Sequence, residues 1–121
     1  MSMINYQDSR PIYEQIVDRY RHLILMGALA PDEQMPSVRS LAMELSTNPN
    51  TVQKAYAELE RQGYLYSVKG RGSFVCHADD LRRAKVTEIA DEIASLLREG
   101  EEIGADPEDI LEKARLRLRE G

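Results

Sequence analysis

The chain has 121 residues, with 16 Lys and Arg, 21 Asp and Glu, and a formal net charge of −5. Its apolar fraction of 42% is typical of a folded globular protein, and no apolar run approaches the roughly 20 residues that cross a membrane. The first residues carry no export signal and the single cysteine excludes an internal disulfide framework, so we expect a cytoplasmic protein with no membrane partner.

The excess of acidic side chains is confined to the C-terminal third of the chain. Residues 1–78 carry eight basic and eight acidic side chains, whereas residues 79–121 carry eight basic and thirteen acidic ones. Within residues 36–78, five basic side chains stand against three acidic ones. Because salt screens charges beyond about 8–10 Å, local placement decides whether a surface binds a polyanion. The acidic total therefore does not exclude nucleic acid as a partner.

Three helix patterns occupy the first half of the chain. Ser9-Arg10-Pro11 begins the first, whose apolar residues recur at helical spacing until Gly27 ends it. A short second helix is predicted over roughly 38–45, with Ser37 as its candidate cap. After a turn at 46–48, the third is predicted over roughly 49–62. Asn48 can cap it, and Pro49 suits its first position, where a missing N–H is no loss.

A β-hairpin and two more helices are predicted after Gly63. Residues 64–68 and 73–76 are β-prone, and the segment 69–72, Lys-Gly-Arg-Gly, supplies a hairpin tip. A helical pattern from Asp79 is broken at Gly100–Ala105 and resumes after Asp106-Pro107. We therefore expect a mainly α fold with a small β-wing: a winged helix-turn-helix DNA-binding domain at residues 1–77 and a helical dimerisation tail at residues 78–121.

The third helix is predicted to present polar side chains outward at its start. If positions 52, 55, 56 and 59 face the core, the opposite side carries Asn50, Gln53, Lys54 and Ala57. Asparagine and glutamine can pair bidentately with adenine, lysine can bond guanine or phosphate, and alanine can contact a thymine methyl. The alternative is a solvated helix that is merely polar. The short helix before it and the hairpin after it favour DNA recognition.

Phosphate contacts are expected around this helix. Asn48 and Thr51 suit phosphate oxygens, and Arg39 would project from the helix that crosses the backbone, unless it pairs with Glu44 or Glu60. The wing tip combines two cations with two glycines, although solvated turns share that composition. The expected DNA-binding residues are Arg39, Asn48, Asn50, Thr51, Gln53, Lys54, Lys69, Gly70, Arg71 and Gly72.

The segments PSVRSLA, N-x-NTVQKAYAELERQGYL and GRGSFV resemble the N-terminal domain of GntR-type bacterial transcription regulators over roughly residues 8–76. The two-helix tail is similar to that of the YtrA-type subfamily, whose tails are dimerisation modules. The resemblance implies a repressor that binds a palindromic operator as a homodimer, and control of a transporter operon. Many relatives carry arginine where this chain has Pro49 and Gln53, so we expect either more contact with A·T pairs or weaker binding to each half-site.

The tail is expected to dimerise, because two such amphipathic helices cannot bury both apolar stripes on each other. The expected dimerisation residues are Leu81, Val86, Ile89, Ile93, Leu96, Leu97, Ile110, Leu111 and Leu118. Alternatively, the tail folds back on its own DNA-binding domain and the protein is monomeric. Whether a small-molecule effector binds between the tail helices is left open, and no residue identifies such a ligand.

Neither a cofactor nor a metal site is predicted. His22 and His77 have no spaced set of cysteines or carboxylates, and His77 beside Cys76 is interpreted as a strand end. A lone cysteine in an apolar strand is usually packed, so an enzyme is not expected. The main alternative function is a winged-helix adaptor that binds protein without specific DNA binding. It predicts that neutralising Lys69 and Arg71 is tolerated.

Overall fold

The computed structural model describes residues 4, 5, 7 and 10–121, and it confirms a mainly helical fold with a two-stranded wing. The helices are α1 (Ile12–Leu25), α2 (Val38–Glu44), α3 (Pro49–Arg61), α4 (Asp79–Glu102) and α5 (Pro107–Glu120). The strands are β1 (Leu65–Val68) and β2 (Gly72–Val75). The predicted start at Ser9 lies outside the described residues. The chain forms two compact units that divide after Arg82.

The core of the first unit is built around α3, which packs against α1, α2 and β1. Its inner residues Val52, Ala55, Tyr56 and Leu59 are all buried, and Val52 and Leu59 are 0% exposed. They meet the buried face of α1, including Ile16, and that of α2. The apolar residues that the sequence places on one side of α3 therefore form the side that packs in the core.

Side-chain caps fix where the second and third helices begin. Ser37 Oγ accepts a hydrogen bond from the Ser40 amide at 3.0 Å, and Asn48 Oδ1 accepts one from the Asn50 amide at 2.8 Å. Between the two helices, Ser46 adopts a φ of +52°, which turns the chain sharply. Both predicted caps are confirmed, and each satisfies an amide that the first helical turn leaves without a partner.

A buried tyrosine joins α3 to the segment before α2. The Tyr56 hydroxyl donates to the Pro36 carbonyl oxygen at 2.8 Å, and its ring lies edge-on to Tyr20 at 6.4 Å between centroids. Burial raises the pKa of Tyr56, so the hydroxyl keeps its proton and remains a donor. This bond holds the segment before α2 against α3.

The wing is paired on both edges of β2. On one edge Tyr66 stands opposite Phe74, with ring centroids 5.6 Å apart. On the other edge, Met35 N donates to Ser73 O at 2.9 Å, and Gln34 forms a bridge with Phe74. The segment before α2 thus acts as a short third strand, which the sequence did not indicate.

The second unit contains most of the tail. The break expected over Gly100–Ala105 is confirmed, because α4 ends at Glu102 and α5 begins at Pro107. Gly100 itself is still helical, and it leaves room for Ile110: an added Cβ at position 100 would stand 2.3 Å from Ile110 Cδ1. Asp106 caps α5 as predicted, accepting a hydrogen bond from the Glu108 amide at 3.0 Å.

The division between the units falls later than the boundary expected at residues 77 and 78. Ala78 is 6% exposed, and Leu81 packs against the core of the first unit. In addition, Arg82 Nε donates to the Leu25 carbonyl oxygen at 2.8 Å. The first turn of α4 therefore belongs with the winged helix.

We predict that Tyr56→Phe lowers the free energy of unfolding by about 1 kcal/mol, because the Pro36 carbonyl loses its hydroxyl donor at a partly buried site. Tyr66→Phe is the matched control, since the Tyr66 hydroxyl bonds Asp32 at 2.8 Å on the exposed surface and water can replace it. Urea unfolding of both variants measures the difference. Equal losses would contradict the role given to the Tyr56 bond.

Candidate nucleic-acid interface

The outward side of α3 is polar and open to solvent. Asn50, Gln53, Lys54 and Ala57 are exposed, while Thr51 is half-buried beside the core. The helix has no acidic residue in its first turn. Its N-terminal amides and partial positive charge are therefore not neutralised by a nearby carboxylate, which suits a surface that meets phosphates.

Asn48 is both a cap and an exposed amide. Its Oδ1 atom is used by the Asn50 amide, whereas its Nδ2 group takes no part in the cap. A donor at the tip of the helix is therefore compatible with the phosphate contact expected there. Pro49 follows in the first helical turn, as expected.

Arg39 lies exposed on α2. Among the residues that the structure describes, it forms no ion pair with Glu44 or Glu60, so the alternative structural role is not seen. Glu60 instead accepts a hydrogen bond from Ser67 Oγ at 3.1 Å. The guanidinium of Arg39 therefore keeps its donors for an external acceptor.

The wing tip is shaped by its glycines and held by one side chain. Gly70 has a φ of +78° in the turn closed by the bond from Arg71 N to Val68 O at 2.9 Å. Gln34 Nε2 donates to the Arg71 carbonyl oxygen at 2.7 Å, which fixes the tip from the opposite edge. Lys69 and Arg71 are exposed. The tip is thus a well-defined turn with two cations, which suits the contact with the DNA backbone expected there.

Lys54 makes a contact that the sequence did not foresee. Its Nζ lies 3.9 Å from the centroid of the Tyr13 ring on α1, within the range of a cation–π interaction. Tyr13 was not among the candidate residues, because no periodicity or motif links the two positions. The lysine therefore leans toward α1 and not straight away from the core.

Beside this contact, α1 and α3 enclose a groove of about 690 Å³ whose charges are largely paired with each other. Asp18 bonds Arg10 and, at 2.5 Å, Arg21. Arg21 also donates to Gln62 Oε1 at 2.9 Å, which ties α1 to the end of α3. Glu58 accepts a bond of 2.8 Å from Arg61 Nε. Of these bonds, only the one from Arg21 to Gln62 joins the two helices; the others pair charges along one side of the groove.

The pKa of Glu58 is lowered to about 2, because its carboxylate accepts hydrogen bonds first from Arg61 and then from Gln62. Its ordinary value is 4.5. Since the folded pKa lies below the unfolded one, Glu58 stabilises the fold above pH 4.5, and this contribution disappears as the pH falls toward 2. A site of acid sensitivity therefore lies on α3.

We expect the Glu58 carboxyl to titrate near pH 2 in an NMR titration, and its midpoint to rise toward 4.5 in Arg61→Met, which removes the hydrogen bond that lowers its pKa most. Lys69→Met removes the same charge from the wing tip and is the matched control. A midpoint near 4.5 in the unaltered protein would show that the Glu58–Arg61 pair does not persist in solution.

The apolar residues of the tail are largely uncovered. Leu96 on α4 is 63% exposed and Leu118 on α5 is 82% exposed. Val86, Ile89 and Ile93 are also exposed. Leu97, Ile110 and Leu111 are half-buried near the turn between the helices. Leu81 stands apart from this set, because it packs on the core of the first unit.

Within the fully described tail, α4 and α5 do not pack along their lengths. The contact of Gly100 with Ile110 and Ala105 joins them beside the turn. Each helix therefore keeps an apolar stripe that its neighbour in the chain does not cover.

The remaining chemistry-bearing residues form no reactive site among the described residues. No cluster there could hold a metal ion, and no described helix is long and apolar enough to span a membrane. Cys76 is half-buried, and burial raises the pKa of its thiol. The thiol therefore stays protonated near neutral pH and is a poor nucleophile. His77 Nε2 lies 3.3 Å from Asp32 Oδ2 at the end of the wing.

A helix-turn-helix with an exposed amide-rich helix and an ordered basic wing defines a winged-helix protein of the DNA-binding class. The family described as bacterial regulatory proteins, gntR family, matches residues 12–75. The chain belongs to this family, so it is a transcription regulator and not an enzyme.

Relatives and solved structures extend the similarity to the tail. The chain is 38% identical over 114 residues to the HTH-type transcriptional repressor YtrA of Bacillus subtilis, covering 93% of this chain and 88% of that protein. A transcriptional regulator from Oenococcus oeni has a similar structure, with a TM-score of 0.78, 28% identity, and coverage of 98% and 99% of the two chains. The DNA-binding domain AraR(DBD), solved in complex with operator ORE1, matches 60% of this chain and 89% of its own, with a TM-score of 0.54 and 32% identity.

Proposed function

We propose that the protein is a repressor that binds a palindromic operator as a homodimer and inserts the first turns of α3 into successive major grooves. The observation that carries the proposal is the position of Asn50 and Gln53 on the exposed side of α3, opposite the buried Val52 and Leu59. An α-helix fits the major groove of B-DNA, and these two side chains match the edge of adenine.

The cations on either side of α3 in the chain support the placement of this helix in the major groove. Arg39 precedes the recognition helix on α2, and Lys69 and Arg71 follow it on the wing, so cations flank the amide-rich surface in the chain. Such cations contact the phosphate backbone and set the register without reading sequence. The similarity to AraR(DBD), a protein solved with its operator, supports this arrangement. The repressor named YtrA supports repression over activation.

The operator is inferred to be rich in A·T pairs at the positions that α3 reads. Position 49 is proline and position 53 is glutamine, so this part of the helix offers an amide, not a guanidinium, to the bases. Arginine reads guanine, whereas glutamine and asparagine read adenine. By the family resemblance, the regulated genes would include a transporter operon, and the protein would act on the chromosome in the cytoplasm.

The uncovered tail supports dimerisation. At 1.5 Å per residue α4 is about 36 Å long and α5 about 21 Å long, so α5 could cover only part of α4 even if the two packed together. Val86 lies in the first half of α4, beyond that reach. A second copy of the tail presents the same stripes and can bury them in a symmetric bundle.

We expect Asn50→Ala plus Gln53→Ala to lower the affinity for a selected operator by about tenfold or more, because each bidentate base contact contributes about 1–3 kcal/mol. Gel-shift titration measures the change, and Lys113→Ala on α5 is the control that leaves α3 intact. Unchanged affinity in the double variant would contradict the groove assignment. If the unaltered protein showed no salt-dependent affinity for DNA, the adaptor would be the better hypothesis.

We expect Ile89→Asp plus Ile93→Asp to convert the dimer to a monomer, because charges would enter the apolar bundle. Leu116→Asp is the matched control, since Leu116 lies on the side of α5 away from Ile110 and Leu118 and is 51% exposed. Analytical ultracentrifugation gives the mass, and circular dichroism checks helix content. A dimer that survives the Ile89/Ile93 change would refute the tail interface.

A further inference from the structure

We propose that Tyr13 is a positioning residue for Lys54. On this view the Tyr13 ring holds the lysine ammonium on the α1 side of α3, where it meets a phosphate of the DNA backbone and not a base edge. The inference rests on the proposed function, since it needs α3 in the major groove, and it adds a residue outside the helix-turn-helix and the wing to the DNA-binding surface.

The geometry of the pair supports a directing role for the tyrosine. Lys54 Nζ stands 3.9 Å from the ring centroid, and Tyr13 is half-buried and packs against the core. The ring is therefore held in place, whereas a lysine side chain has a long flexible stem. An aromatic face attracts an ammonium by its negative quadrupole, so the fixed partner decides where the mobile one lies.

The charges nearby leave the ammonium of Lys54 available. Asp18 is bonded to Arg10 and Arg21, and Glu58 is bonded to Arg61. Glu14 lines the same groove and accepts a hydrogen bond of 3.4 Å from the Tyr13 hydroxyl. The Tyr13 ring attracts the lysine without neutralising it, as a carboxylate would. Among the described residues no carboxylate forms an ion pair with Lys54, so its ammonium can bind an external anion.

The width of the DNA major groove indicates that the anion bound by Lys54 is a backbone phosphate. A helix with its side chains is about 10–12 Å across and the major groove is about 12 Å wide, so the flanks of the helix face the two phosphate backbones. Lys54 is in the second turn of α3 and leans to the flank beside α1. A lysine ammonium binds a phosphate as a compact point charge. Its contact should strengthen binding to every DNA sequence alike.

The test is the salt dependence of DNA binding by the full chain. Lys54→Gln should reduce the slope of log affinity against log salt by about 0.9 per lost phosphate contact, for the operator and for unrelated DNA alike. Tyr13→Leu should weaken affinity by about two- to fivefold, the value of an exposed cation–π contact. Tyr13→Phe keeps the aromatic face and should bind like the unaltered protein.

A double-mutant cycle separates positioning from folding. If Tyr13 acts through Lys54, Tyr13→Leu should cause no further loss once Lys54→Gln is present. An equal loss in both backgrounds would overturn the proposal, as would a Lys54→Gln variant that keeps the full salt slope and loses base preference. The Lys54→Gln result holds even if Tyr13→Leu folds poorly. Absence of DNA binding by the unaltered protein would overturn the proposed function, whereas binding without coupling would overturn this inference alone.

Discussion

The structure depends on the burial of one side of α3. Val52, Ala55, Tyr56 and Leu59 leave water together, and at about 1.5–3 kcal/mol for each large apolar side chain the helix has one favoured rotation about its axis. Once that rotation is set, the positions of Asn50 and Gln53 follow from 3.6 residues per turn. The proposed DNA-binding surface is therefore a consequence of how the core packs and needs no separate stabilisation.

Hydrogen bonds fix the parts of the fold that apolar burial leaves undetermined. The caps at Ser37 and Asn48 fix the first turns of α2 and α3, and the Tyr56 bond to Pro36 links them. At the wing, Gln34 holds the tip from the opposite edge of β2. These contacts set helix starts and turn shapes, the features on which the reach of a recognition helix and a wing depends. The acidic excess of the chain lies in residues 79–121, which leaves the surface around α3 and the wing free of it.

Much of the fold could be predicted because its signals are local. Apolar spacing, caps at Asn48 and Asp106 and the glycine-bearing hairpin each act within a few residues of the chain. What the sequence did not indicate arises where distant residues meet. Position 100 has no room for a side chain because Ile110 fills the space beside it, and Leu81 packs on the core of the first unit. In the same way, only the packing of α1 on α3 brings Tyr13 to Lys54.

The most direct test is in-vitro selection of bound DNA, carried out in parallel with the unaltered protein and with Asn50→Ala. We expect the unaltered protein to select an inverted repeat whose half-sites lie about one helical turn, or a multiple of it, apart. Asn50→Ala should lose preference at the same base pair of each half-site and keep it elsewhere. Selection of identical sites by both proteins would contradict the claim that the exposed side of α3 reads the operator.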